Sequence, residues 1–134
     1  MSGGFDVVIR TWNDHERLVG AVASAAAVPG VSRIVVVDDG SEPSVDPATL
    51  DDARVVLHRQ ANAGAPAARQ RGIELAESDY VVLLDSDDEL LPAAADAVRA
   101  AREAGAAGVI SGRLRFEPDG GDTSGTSPCM RTCA

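Results

Sequence analysis

The stretch Val81–Pro92, VVLLDSDDELLP, decides the reading of the chain. Val81 to Leu84 form a short continuous apolar run, which reads as a buried strand. Asp85, Asp87 and Asp88 follow at once, so their carboxylates emerge at the strand's C-terminal end. In open α/β sheets that is where ligands bind. Three carboxylates within four residues repel one another, so packing does not account for them. Hard divalent cations take oxygen ligands, and Mg²⁺ is commonly held by one or two carboxylates plus substrate phosphates. The residues alone leave two readings open. One is a metal–diphosphate site; the other is an acidic turn before a helix, where Asp is favoured for capping and dipole reasons.

A second acidic turn lies upstream. Ile34–Val37 reads as a strand and runs directly into Asp38-Asp39-Gly40-Ser41, which is turn chemistry. Around these two anchors the pattern alternates. Phe5–Ile9 is a first strand, followed by a helix from about Asp14 to Val28, with Thr11 or Asn13 as its cap and Pro29-Gly30 as its stop. Arg54–His58 is a third strand near an edge. Asn62–Pro66 opens a second helix that runs through Arg69 to about Leu75, with Pro66 at a first-turn position and Ser78-Asp79 as the stop. Pro92–Ala104 is a third helix stopped by Gly105, with Arg99, Arg102 and Glu103 on a solvated face. Gly108–Arg115 is a fifth strand. Strands alternating with helices predict an α/β fold with a mostly parallel sheet and crossover helices. Parallel topology then places both acidic turns on the same edge of the sheet. The predicted domain spans residues 1–117; residues 118–134, rich in Gly, Ser, Thr and Pro, read as a disordered or irregular tail.

Bulk properties narrow the function. At 134 residues the chain is one domain at most, and with only 3% aromatics its core is built from Ala, Val, Leu and Ile. The net charge of −9 argues against nucleic acid or an anionic membrane as partner. All twelve basic residues are arginine, which excludes any mechanism that needs lysine. An acidic chain that binds an anionic ligand needs a metal or a few placed arginines. The chain has no apolar stretch of signal-peptide or membrane-spanning length, so it reads as cytoplasmic. Cys129 and Cys133 have no His nearby to complete a zinc site and read as free thiols.

Several chemistries are excluded. The first turn reads RTWNDH and not Gly-x-Gly-x-x-Gly, and a P-loop needs Lys. A receiver-like signalling domain is a remote alternative, because VVVDD and LLDSDDELLP imitate its acidic pockets. Its acidic pair, however, would follow the first strand, and its Lys is missing.

Four segments, in order, resemble the N-terminal part of a family 2 glycosyltransferase with the Rossmann-like GT-A fold: VVIRTWNDHERL, IVVVDDGSEP, NAGAPAARQRGIELA and DYVVLLDSDDELLP. They cover roughly residues 5 to 115. The resemblance implies transfer of a sugar from a nucleotide donor, usually a UDP-sugar, to an acceptor hydroxyl. It implies that Arg10, Thr11 and Trp12 line the nucleobase pocket and that Asp38 or Asp39 accepts a hydrogen bond from the base. Asn62, Gly64 and Arg69 would surround base and phosphates, Asp85 and Ser86 would meet the nucleotide-sugar, and Asp85 and Asp87 would hold Mg²⁺ or Mn²⁺. Arg10 stands where the family usually has Pro, Trp12 where Tyr is usual, and Gln70 where Asn is usual. Trp12 has a plainer reading as core filler, and Arg69 as a surface ion pair. Family members continue into an acceptor-binding half that supplies the general base. No residue of this chain is assigned that role, and self-association or a partner chain would complete that half. The alternative function is a nucleotide- or metal-binding module without catalysis, or a degenerate relic of the enzyme.

Overall fold

The computed structural model describes residues 4–105, 109–111 and 131–133. Six strands form one sheet: β1 (Phe5–Thr11), β2 (Val31–Asp38), β3 (Val55–Arg59), β4 (Val81–Asp85), β5 (Val109–Ser111) and β6 (Arg131–Cys133). Their order is β3-β2-β1-β4-β5-β6. The first five pair in parallel, and β6 runs antiparallel to β5. Three helices cross between strands: α1 (His15–Ala26), α2 (Ala65–Leu75) and α3 (Ala93–Glu103). This is the predicted α/β architecture, with β3 at an edge as expected.

The two central strands are apolar on both faces because helices cover both sides. Alternate residues sort into two layers. Val7, Ile9, Ile34, Val36 and Val82 pack with Leu18, Ala21, Val22 and Ala25 of α1 and with Val98 of α3. Val8, Val35, Val37 and Val81 pack beneath Ala68 of α2. Helix α2 lies close to β1 because Gly72 is buried there; a Cβ at that position would collide with Val8.

Three expectations change. Neither Thr11 nor Asn13 caps α1. Thr11 is the buried end of β1, Asp14 holds the N-cap position without a side-chain cap bond, and Asn13 turns its amide oxygen to the Glu42 N–H. Helix α2 ends at Leu75, as expected, and beyond it the Glu77 and Ser78 N–H groups donate to buried Asp6. Arg102 is not part of a solvated face: it donates to the Gly4 carbonyl and stacks over Tyr80, 4.7 Å from the ring centroid. Arg131–Cys133 adds a strand within the expected irregular tail, and RTC is too short to carry a period that announces one. The rest of that tail lies outside the described residues, as do residues 112–115 of the predicted fifth strand.

Candidate functional site

Parallel pairing fixes where the functional side chains meet. Thr11 is in register with Asp38, and Arg10 with Val37 on one side and Asp85 on the other. The ends of β1, β2 and β4 are therefore level, and their C-terminal turns form one edge. Arg10 and Asp85 alternate with Val8 and Leu83, which places them on the α2 side of the sheet. Thr11 and Asp38 alternate with Ile9 and Val36 and belong to the α1 side.

The two adjacent aspartates at the end of β2 do different work. Asp38 closes its own turn: its carboxylate accepts from the N–H groups of Ser41 at 2.9 Å and Val45 at 3.0 Å and from Arg59 at 3.1 Å. Burial pushes its pKa up, but the bonds from Val45 and Ser41 and the Arg59 charge outweigh that and hold it below the ordinary carboxylate value. Asp39 faces α2 instead. Its carboxylate accepts from Ala63 N–H at 2.9 Å, Gly64 N–H at 3.0 Å and the Gln60 side chain at 3.0 Å. Its backbone carbonyl accepts from Asn62 Nδ2 at 3.0 Å, and its N–H donates to the Thr11 carbonyl at 2.9 Å. Asp39 thus ties β1, β2 and the entry to α2 together. Gly64 has φ 97°, a left-handed conformation that favours glycine. Gly40, at φ 82°, lies so close to Asn62 that a Cβ there would meet its backbone N at 2.8 Å.

At the end of β4, Asp85 pairs with Arg69 of α2, Nη2 to Oδ1 at 2.9 Å, so Arg69 is an ion pair that reaches into the edge. Asp85, Asp87 and Asp88 each offer a carboxylate oxygen, all within 4.8 Å of one another. That donor set, oxygen only and with two members exposed, fits a hard divalent cation. Asp88 joins the two aspartates expected from the sequence. Ser86 is buried; its N–H donates to the Arg10 carbonyl and its Oγ to Asp14 Oδ2 at 3.2 Å.

Trp12 is 47% exposed beside this edge, which removes the core-filler reading. The adjoining turn is locked from behind, because Asn13 N–H donates to Ser41 Oγ at 2.8 Å and His15 Nε2 lies 2.8 Å from the Pro43 carbonyl. Two buried polar atoms at the end of β1 have no partner among the described residues: Arg10 Nε and Thr11 Oγ1. Gln60 and Asp14 were not foreseen from the sequence, since an isolated Gln or Asp in a turn carries no pattern. Of the residues that were, Arg10, Asp39, Gly64, Arg69, Asp85, Ser86 and Asp87 lie at or brace the edge between α2 and β4; Thr11 and Asp38 belong to the α1 side, Trp12 is exposed just past the end of β1, and Asn62 braces Asp39.

A mostly parallel sheet with two acidic turns at its C-terminal edge is the α/β architecture expected of the resemblance to glycosyltransferases, and the comparisons supply the family. The chain belongs to glycosyl transferase family 2, whose model matches residues 6–129. It is 46% identical over 63 residues to the uncharacterized glycosyltransferase YibD of Escherichia coli, covering 44% of this chain and 18% of that protein. It is 34% identical over 91 residues to the succinoglycan biosynthesis protein ExoU of Rhizobium meliloti, covering 64% of this chain and 27% of that protein. The chain therefore spans about a fifth to a quarter of the length of these relatives. Among solved structures, S. aureus TarS in complex with UDP-GlcNAc has the same fold, with 24% identity and a TM-score of 0.63, covering 75% of this chain and 31% of that one.

Proposed function

We propose that this chain forms the donor-binding part of a glycosyltransferase that takes a UDP-sugar with a divalent cation and passes the sugar to an acceptor hydroxyl. One observation carries the reading: Arg10, Asp39, Arg69, Asp85 and Asp87, scattered over nearly eighty positions, converge through strand register on one edge of the sheet. Family membership supports transferase chemistry. The UDP-GlcNAc complex of the TarS structure supports the donor class.

Each residue then has a role that its surroundings permit. Trp12, exposed at the rim, offers a ring face on which a base can stack. Asp39 uses three of about four lone-pair sites on internal bonds and keeps one for a base N–H. The spare site is on Oδ2, which the Gly64 N–H alone occupies, and because Asp39 is fully buried a base reaches it only if the surrounding cover shifts. Arg69 brings a guanidinium to the phosphates while it steadies Asp85. Asp85, Asp87 and Asp88 would hold Mg²⁺ or Mn²⁺. Such a cation, when bound, neutralises charge on a diphosphate leaving group. Asp14 and the Arg10 carbonyl hold Ser86, and with it the acidic loop, in place. Among the described residues, no helix is long and apolar enough to cross a membrane.

The single tryptophan supplies the test. UDP titrated with Mn²⁺ is expected to quench Trp12 fluorescence saturably, and the response is expected to vanish with EDTA and in Asp87→Ala. A folded protein whose fluorescence ignores UDP under all these conditions would refute the reading. A response that survives both EDTA and Asp87→Ala would refute the metal part of it.

A further inference from the structure

We propose that Arg10 is a direct ligand for the diphosphate of the nucleotide donor, an inference that rests on the nucleotide-binding reading above. Arg10 stands one residue from the end of β1, on the α2 side of the sheet, in register with Asp85. It is half-buried, yet it makes no ion pair, and its buried Nε has no hydrogen-bond partner among the described residues. That is unusual in this molecule. Arg17, Arg33, Arg54, Arg59, Arg69, Arg71, Arg99 and Arg102 all have a carboxylate or carbonyl partner. It is more unusual in a chain with 21 acidic residues to choose from.

The natural partner, Asp85, is already held by Arg69 at 2.9 Å. Arg10 is therefore a second guanidinium beside an already paired carboxylate, and among the described residues it forms no ion pair with the aspartates of this edge. A buried donor without an acceptor costs free energy, and a charged one costs more. An oxyanion at this edge removes that cost. The planar guanidinium fork matches phosphate oxygens in pairs, whereas a nucleobase presents neutral edges that gain less from a full positive charge. Arg10 is adjacent in the sheet to the strand that carries the acidic trio, so the same ligand group serves both. Its assignment is therefore to phosphate, not to base.

The test separates phosphate from base within one ligand series. Uridine and UDP are titrated against the wild type, Arg10→Met and Arg10→Lys at constant Mn²⁺, read by Trp12 fluorescence. Thermal melts confirm folding. Arg10→Met keeps the apolar stem without the charge, and it is expected to weaken UDP about ten- to hundredfold while leaving uridine unchanged. Arg10→Lys keeps the charge without the fork and is expected to fall between the two. The loss in Arg10→Met is expected to shrink as salt is raised. Unchanged UDP binding in both variants, with the wild type responding, overturns the role of Arg10 alone. Equal losses of uridine and UDP make Arg10 a structural residue and also overturn it. A wild type that binds neither ligand overturns the nucleotide reading itself, and this inference with it.

Discussion

The Gly64 N–H donates to Asp39 Oδ2 at 3.0 Å, joining the end of β2 to the start of α2 across 25 positions. With the Ala63 N–H on the other oxygen, the Asp39 carboxylate caps the entry to α2 in place of a local side chain; the helix's own N-cap residue is glycine and has none. Helix position sets where Arg69 stands, and Arg69 in turn holds Asp85. Asp39 therefore supports the far side of the edge without touching it.

Asp39→Asn tests this chain of supports. An amide replaces one acceptor oxygen with a donor that faces a backbone N–H, so the variant is expected to lose about 1–3 kcal/mol of stability in urea unfolding. Asp87→Ala, at an exposed position, is expected to stay within about 0.5 kcal/mol of the wild type. If both aspartates prove equally dispensable to stability, the bracing role of Asp39 is wrong.

The contact between Gly72 and Val8 makes a second, purely steric prediction. Alanine favours a helix interior over glycine by about 1 kcal/mol. Here the added methyl would collide with Val8 of the central strand. Overpacking of this kind costs about 1–3 kcal/mol, so Gly72→Ala is expected to be destabilising despite its helix propensity. Val8→Ala, made alone, is expected to destabilise by leaving a cavity. The double variant is expected to be more stable than the sum of the two, because each change makes room for the other. Additive losses in denaturant unfolding would show that α2 can move off the sheet freely.

Much of this arrangement was legible in the sequence, for a physical reason. Continuous apolar runs such as Val35–Val37 and Val81–Leu84 have no polar residue that could face water, so they had to be central strands, and parallel topology then aligned the acidic residues that end them. Pro66 and Gly105 marked helix boundaries that hold, with Pro66 in the first turn of α2 and Gly105 at φ 70° after α3. Side-chain direction was not legible. Asp38 and Asp39 read alike in a string of letters, yet adjacent residues leave a strand on opposite faces, and one closes a turn while the other braces a helix. Long-range polar partners were equally hidden. The bonds of Asp14 to Ser86 and of Asp6 to Ser78 each cross 72 positions, and nothing in the local pattern of either residue specifies them.

Asp38 leads to a pH prediction whose sign follows from its surroundings. Burial raises its pKa, but the N–H groups of Val45 and Ser41 and the Arg59 charge lower it further, so the folded-state value lies below the ordinary 3.8. A carboxyl with a depressed folded-state pKa contributes stability above its unfolded pKa and loses it as pH falls through the folded value. The gap in unfolding free energy between wild type and Asp38→Asn is therefore expected to be constant from neutral pH down to near 3.8 and to narrow below it. Asp52 titrates in the same acidic window, because the Arg54 side chain donates to it and holds it to about 2. The comparison is best made in an Asp52→Asn background, by urea unfolding at a series of pH values. A gap that widens on acidification would mean that Asp38 is protonated in the folded protein, and that its turn is held by some other means than three donors on a charged carboxylate.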